Sequence, residues 1–283
     1  KNEAIFLGGI LLGARESLSD EIKEDFNNSG LTHFIAVSGF NITILILFVG
    51  YLIKYFPRYL QAIIILAFII FFVAIVGNTA PVLRAAIMGF IGYIVLISGR
   101  KGHSYTILIF TAAVMVIVSP LSLNADVSLH LSFLAVLGII FTQDFYKKLF
   151  SWAPSTLAIQ EALILTFAAL TFTLPLMLFN FGQVSILSPL ANISVTWTIP
   201  IAMLLGFITI IVYIVSPFIG EIFGYLTWIL LKFDMLMVQF FGNLEFSVLK
   251  YNFGVYKTEF LILYFIFSTY LLLYFQTKKR EKR

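Results

Sequence analysis

Five polar or small residues interrupt an apolar run near the start of the chain: Thr32, His33, Ser38, Gly39 and Asn41, within Leu31–Asn41. A polar group in hydrocarbon costs on the order of 2–7 kcal/mol unless it is satisfied. These positions therefore specify something beyond crossing a membrane. Ser38 beside Gly39, with His33 and His130 elsewhere, raises one kind of chemistry, an intramembrane serine hydrolase. That chemistry needs a serine, a histidine within hydrogen-bond reach and an oxyanion hole. His33 lies five residues before Ser38 and points away from it on a regular helix, and His130 is remote in sequence. What remains is a bare Ser-Gly, a weak signal for catalysis.

Ionisable residues inside apolar runs form the second set, since each is a functional candidate by default. They are Arg84 after Pro81, Glu161, Lys232 with Asp234, and His130 with Ser132. Two readings of Arg84 are open: a side chain that snorkels to the interface, or one that faces a polar cavity and meets an anion. Lys232 and Asp234 are two residues apart and do not share a helix face, so each is expected to pair with another helix. The chain has no Cys, and its three His (His33, His103, His130) lack metal-site spacing. No metal and no cofactor are expected. No G-x-x-x-x-G-K-[ST] sequence occurs, so ATP coupling by a P-loop is excluded. An enzyme is not expected.

The elements that must position these residues are membrane helices. The chain is 60% hydrophobic and 11% charged, with mean hydropathy +1.01, against about 25% charged residues in a soluble domain. A spanning helix needs about 20 mostly apolar residues. Candidate spans lie at 31–53, 59–77, 80–98, 104–119, 128–142, 157–180, 186–213, 217–241 and 260–276. The expected fold is an all-α polytopic transmembrane bundle of about nine spans, with some helices broken or re-entrant. The fourth and fifth spans are short, and the seventh holds Pro189 and Pro200, which should break or kink it. Gly89 with Gly92, and Gly138, allow close helix approach and read as packing.

Basic clusters at Lys54/Arg58, Arg100/Lys101, Lys147/Lys148 and 278–283 all fall on one side of such a bundle. That side is cytoplasmic by the positive-inside rule, with the N-terminus outside and the C-terminus inside. Lys and Arg number 18 against 14 acidic residues. The excess is orientation signal first, and electrostatics alone does not point to nucleic acid.

Residues 1–30 read as an external amphipathic or interfacial lead-in, and residues 31–283 as one membrane domain. The chain begins at Lys1, not Met, and reads as an excerpt or a processed product; Phe6–Leu12 is short and is not a signal peptide. Leu18, Ile22 and Phe26 recur every four residues among Glu21, Glu24 and Asp25, the pattern of an amphipathic helix with an acidic polar face. Membrane-surface helices are usually basic, so this one should cap the outer mouth or pack on the bundle, ending in a turn at 27–30. Loop 242–259 alternates partly and is expected to form an external hairpin.

Four fragments in order resemble the competence domain of the ComEC-type DNA-uptake channel family, over nearly the whole chain. They are Gly30–Asn41 with the preceding Gly9–Gly13; Pro81–Met88; Ser119-Pro120-Leu121 with Leu129–Gly138; and Leu187–Asn192. Asn41 stands where the family commonly has His, and His130 where it more often has Gln or another polar residue. Asn keeps donor and acceptor capacity but does not titrate.

The resemblance implies a bacterial inner-membrane channel that passes single-stranded DNA into the cytoplasm during natural transformation, a conduit and not the motor or the nuclease. Its partners would be single-stranded DNA, the lipid bilayer, an external DNA receptor and a cytoplasmic helicase-type motor. OB-like and nuclease domains would lie outside this chain. Arg84 would meet an anion. His33, Ser38, Asn41, His130, Ser132 and Asn192 would line or brace the path, and Gly39 would let a helix break or a backbone approach. Two other classes fit the same composition: a small-solute or lipid-linked transporter with a closed pocket, and a packing scaffold with no path.

Overall fold

A computed structural model describes residues 2–13, 18–35, 39–77, 79–99, 104–118, 127–154, 156 and 159–250, with ten further positions between 259 and 274. Among these the fold is all-α, apart from one pair of short strands.

The chain opens with α1 (Asn2–Leu12) and α2 (Asp20–Ser29). α1 is apolar, and Phe6, Ile10 and Leu11 are buried. The spacing in the lead-in does form a helix. Ser19 caps α2 by accepting from the Ile22 amide, and Gly30 closes it at φ 75°. The Gly30 amide reaches Asn27 O and the Leu31 amide reaches Phe26 O, which satisfies carbonyls the helix end would orphan. The expected turn at 27–30 thus begins only after Ser29.

Within the expected first span the structure describes α3 (Thr32–Ile35) and α4 (Gly39–Leu52), with residues 36–38 outside the described residues. Then come α5 (Arg58–Val76), α6 (Ala80–Ser98), α7 (Ser104–Val118), α8 (Val127–Leu149) and α9 (Ile159–Phe181). Pro57 precedes α5 with an extended ψ, Pro81 sits in the first turn of α6, and Gly99 ends α6 in the left-handed region. The 15 residues of α7 extend only about 22 Å, short of the roughly 30 Å hydrocarbon core. α8, expected to be short, runs on through Lys148 to Leu149.

The long seventh span breaks as its prolines predict, into α10 (Ser188–Thr196) and α11 (Thr198–Val215), hinged at Trp197. α12 (Pro217–Gly242) follows. Among the described residues four helices, α5, α8, α9 and α11, are long and apolar enough to cross a membrane; Asn2–Leu12, Asn41–Leu52, Val82–Ser98 and Ser104–Ile117 are shorter apolar stretches. This is a membrane protein. Outward-facing Ile70, Phe71, Ile117, Ile214 and Val215 are each more than 60% exposed, apolar surface that a soluble protein would not carry.

Strand β1 (Gln183–Ser185) pairs antiparallel with β2 (Val248–Lys250), Val184 opposite Leu249. Of the alternating loop 242–259, residues 251–258 lie outside the described residues. Its described part pairs with a strand more than 60 residues earlier, because β1 offers unpaired backbone at the C-terminal end of α9.

Two cores organise the bundle. One joins α1, α2, α3, α10, α11 and α12 through Phe6, Ile10, Phe26, Leu31, Ile199 and Met203. The other joins α4, α5 and α6 through Ile42, Ile46, Ile65, Ile69, Val82 and Tyr93. Gly138 of α8 meets α9 so closely that an added Cβ would lie 2.2 Å from Ala168 O; at Gly89 it would lie 2.6 Å from the terminal methyl of Ile46, whereas Gly92 faces open space. Packing accounts for the first two glycines and not for the third.

α2 does not float on the bundle. Its Ile22 and Phe26 are buried, as is Leu18 just before it, and a Cβ on Gly242 would lie 2.6 Å from Asp25 O. Asp25 is buried against the end of α12. Burial, then the nearby Glu21 and Glu24, hold its carboxyl above the ordinary carboxylate range, only partly offset by a hydrogen bond from Asn243. The folded state thus keeps this proton to higher pH than the unfolded state does. Stability should fall as pH rises from the ordinary value of 3.8 through the raised one, then level off. Asp25→Asn should remove this slope and be the more stable form at neutral pH. Thermal unfolding of both proteins in micelles across that range checks it.

Candidate functional site

The polar stretch begins at Gly30, whose turn faces the start of α10. A Cβ there would come within 2.4 Å of Ser188 Cβ, in a residue already at φ 75°, so only glycine fits. In α3, Thr32 Oγ1 donates to Asn27 Oδ1 (2.8 Å). His33 is exposed; its Nδ1 lies 3.2 Å from Gly30 O, and its ring lies 4.3 Å from that of Phe34. Ser38 lies outside the described residues.

Gly39 is the first described residue of α4, and residues 36–38 before it lie outside the described residues. Its space is not tight: an added Cβ would meet Ala85 Cβ at 3.7 Å, an ordinary contact. Asn41 is fully buried and donates from Nδ2 to Ile10 O (3.1 Å). Ile10 lies in the last turn of α1, where carbonyls lack intrahelical donors. Asn41 thus joins α4 to the end of α1, which is bracing and needs no titration.

Arg84 does not snorkel. It is 3% exposed, and Nη2 donates to Ser128 O (2.9 Å) and Ser128 Oγ (3.0 Å) at the start of α8. One guanidinium nitrogen thereby ties α6 to α8. Two residues on, His130 is exposed and Ser132 half-buried. His130 borders an apolar groove between α7 and α8 with Ala112, Met115 and Phe133. Asn192, half-buried in α10, donates to Thr166 Oγ1 of α9 and accepts from the Thr196 hydroxyl (3.2 Å).

The candidates do not converge on one cluster. They are linked as a chain of contacts instead: Ser188 against Gly30, Gly39 against Ala85, and Arg84 against Ser128, which immediately precedes Leu129. The four sequence fragments are thus successive neighbours in space, in the order fourth, first, second, third. Asn41 and Asn192 brace this band from within, while His33 and His130 are exposed on the outside of their helices.

Several partners were not singled out from the sequence. Ser128, Thr166 and the Ile10 carbonyl are ordinary residues until the fold brings them together. Gln61 carried a signal, as the lone amide in the run 59–77. It donates to Lys54 O (3.2 Å) and Phe56 O (2.7 Å), and its Oε1 accepts from Tyr93 Oη (3.0 Å). Asp234 does pair with another helix, through Thr198. Lys232 is exposed, over the Trp228 ring at 4.7 Å. Threonines inside the apolar helices mostly satisfy themselves on the carbonyl four residues back, as Thr111, Thr142, Thr209 and Thr227 do.

Ser128→Ala removes one of the two Ser128 oxygens that accept from Arg84 and should cost about 0.5–1.5 kcal/mol. Arg84→Leu removes the charged donor that both Ser128 oxygens accept from, and should cost about 1.5–3 kcal/mol. Unfolding midpoints of the purified proteins in micelles rank the two. Equal losses would mean that the hydroxyl alone carries the link.

Comparison with known proteins bears on what this band belongs to. No solved structure matches the chain. A protein of Aquifex aeolicus (strain VF5), described only as uncharacterized, is 29% identical over 174 residues, 61% of this chain and 39% of that protein. ComE operon protein 3 of Bacillus subtilis (strain 168) is 24% identical over 181 residues, 63% of this chain and 22% of that protein. The chain thus corresponds to less than half the length of either relative. The family model described as Competence protein matches residues 10–278. With all four fragments inside that match or at its edge, the chain belongs to the competence protein family.

Proposed function

We propose that this chain is the membrane conduit for single-stranded DNA, passing it into the bacterial cytoplasm during natural transformation. One observation carries the reading: the competence-family match over residues 10–278 contains four motifs that abut one another as a single band across the bundle. A conduit must hide phosphate charge from lipid and tolerate every base. Stacking on aromatic rings does the second, at about 1–3 kcal/mol per base without sequence preference. Arg84 does part of the first. In the conformation described its guanidinium faces Ser128; the anion contact forms when α8 shifts off α6 and a phosphate oxygen replaces the Ser128 acceptors. Ser38, Gly39, Asn41, Ser132 and Asn192 line or brace the strand's route, with His33 and His130 at its margins.

About nine spans cross the membrane, the shorter apolar helices among them, with the N-terminus outside and the C-terminus in the cytoplasm. The chain is a path and not an enzyme. A helicase-type motor on the cytoplasmic side pulls the strand, and an external receptor delivers it. OB-like and nuclease domains complete the apparatus outside this chain.

Labelled-DNA uptake in cells lacking the protein, complemented at matched membrane levels, tests the reading. Arg84→Gln should reduce uptake at least tenfold, the scale of about 1.4 kcal/mol, while Ser128→Ala should retain most of it. Unchanged uptake with Arg84→Gln would sink the anion role. Orientation has its own test, because the chain has no native cysteine. A thiol reagent that cannot cross membranes should label Glu245→Cys in intact cells, and Lys147→Cys only after permeabilisation.

A further inference from the structure

At the break between α10 and α11, Trp197 is the hinge residue, and Thr198 begins the next helix. Asp234 of α12 lies directly against this break. Both Thr198 and Asp234 are 0% exposed, and the core they share is formed by Val195, Ile199, Met203, Leu231 and Met235. Thr198 Oγ1 is 2.8 Å from Val195 O and is also hydrogen-bonded with Asp234 Oδ1. A threonine hydroxyl has one proton. It can serve the carbonyl or the carboxyl group, not both. The other carboxyl oxygen, Oδ2, meets no hydrogen-bond partner among the described residues.

The charges on the surrounding elements do not compensate Asp234. α10 and α11 contain no charged side chain. α1 brings Glu3 alone. α2 carries Asp20, Glu21, Lys23, Glu24 and Asp25, and Asp25 meets α12 at Gly242, about two turns beyond Asp234. On α12 itself Glu221 lies more than three turns earlier, and Lys232 is exposed and turned to Trp228. An ionised carboxylate here would be buried with one donor at most, a costly arrangement.

We propose that Asp234 is an intramembrane proton-binding site. Its neutral carboxyl group donates to Thr198 Oγ1, and Thr198 donates onward to the Val195 carbonyl. Each proton is then used once. The relay joins α12 to the last turn of α10 and the first residue of α11. Loss of the proton leaves a carboxylate that the apolar core does not hold, so α12 must part from the Trp197 break, or water must enter, to solvate it. Proton occupancy is thereby linked to the angle at this break. The inference stands independently of what the chain conducts.

The test is infrared spectroscopy of the full chain in neutral-lipid nanodiscs, with carboxyl-labelled aspartate, at neutral pH. The wild type should show a protonated-carboxyl carbonyl band that Asp234→Asn removes. Thr198→Val, which deletes the acceptor, should shift that band to higher frequency, and Thr198→Ser should restore it. Should Asp234→Asn fail to fold, the band is read in the Asp25→Asn background, which removes the other buried aspartate among the described residues; its persistence there supports the assignment. A wild-type spectrum without a protonated aspartate band overturns the proposal, as does a band that survives Asp234→Asn.

Discussion

The constraint on which this structure depends is that a helix end inside a membrane protein has no water to satisfy its backbone. Each helix leaves carbonyls without donors in its last turn, and each such group costs several kcal/mol in hydrocarbon. This chain has helix ends within its core, at α1 and at the α10–α11 break. Three buried polar side chains meet such ends. Asn41 covers the Ile10 carbonyl at the end of α1. Thr198 covers Val195 O at the break. Gln61 covers Lys54 O and Phe56 O where α4 gives way to α5, and Tyr93 holds Gln61 in place.

This explains why α1 is buried. A short apolar helix in the lead-in would be a weak membrane anchor, but within the protein its exposed end is affordable once Asn41 reaches it. α1 then supplies Phe6 and Ile10 to the core that binds α2, α11 and α12 together. The polar stretch that interrupts the first apolar run is therefore partly a device for docking the residues before it. The same stretch brings Gly30 to α10 and Gly39 to α6, so bracing and motif contact are one arrangement. A contact band built this way carries both stability and any route along it, and a buried arginine within it adds the positive charge that apolar helices lack.

Much of the architecture was legible in the sequence. Long apolar runs bounded by Pro57, Gly77 and Gly99 became helices at nearly the expected limits, because hydropathy and terminators act locally. Pro189 and Pro200 announced a broken seventh span, though not that the hinge would be Trp197. The alternation in loop 242–259 was a strand signal, but its partner was not readable, since strand pairing is settled by what lies alongside in space. Arg84 was marked as unusual by its type alone. Whether it snorkels or is held inside depended on Ser128, an unremarkable residue 44 positions away.

By itself the sequence determined that this is an all-α membrane protein of the competence family, and which residues are too polar to be incidental. Those properties follow from transfer free energy, local backbone chemistry and motif order, none of which needs the fold. Tertiary structure alone decided what each polar residue does. A hydrogen bond needs its partner within about 3 Å, and Asn41 with Ile10, Arg84 with Ser128, Asn192 with Thr166 and Asp234 with Thr198 are brought that close only when separate helices pack.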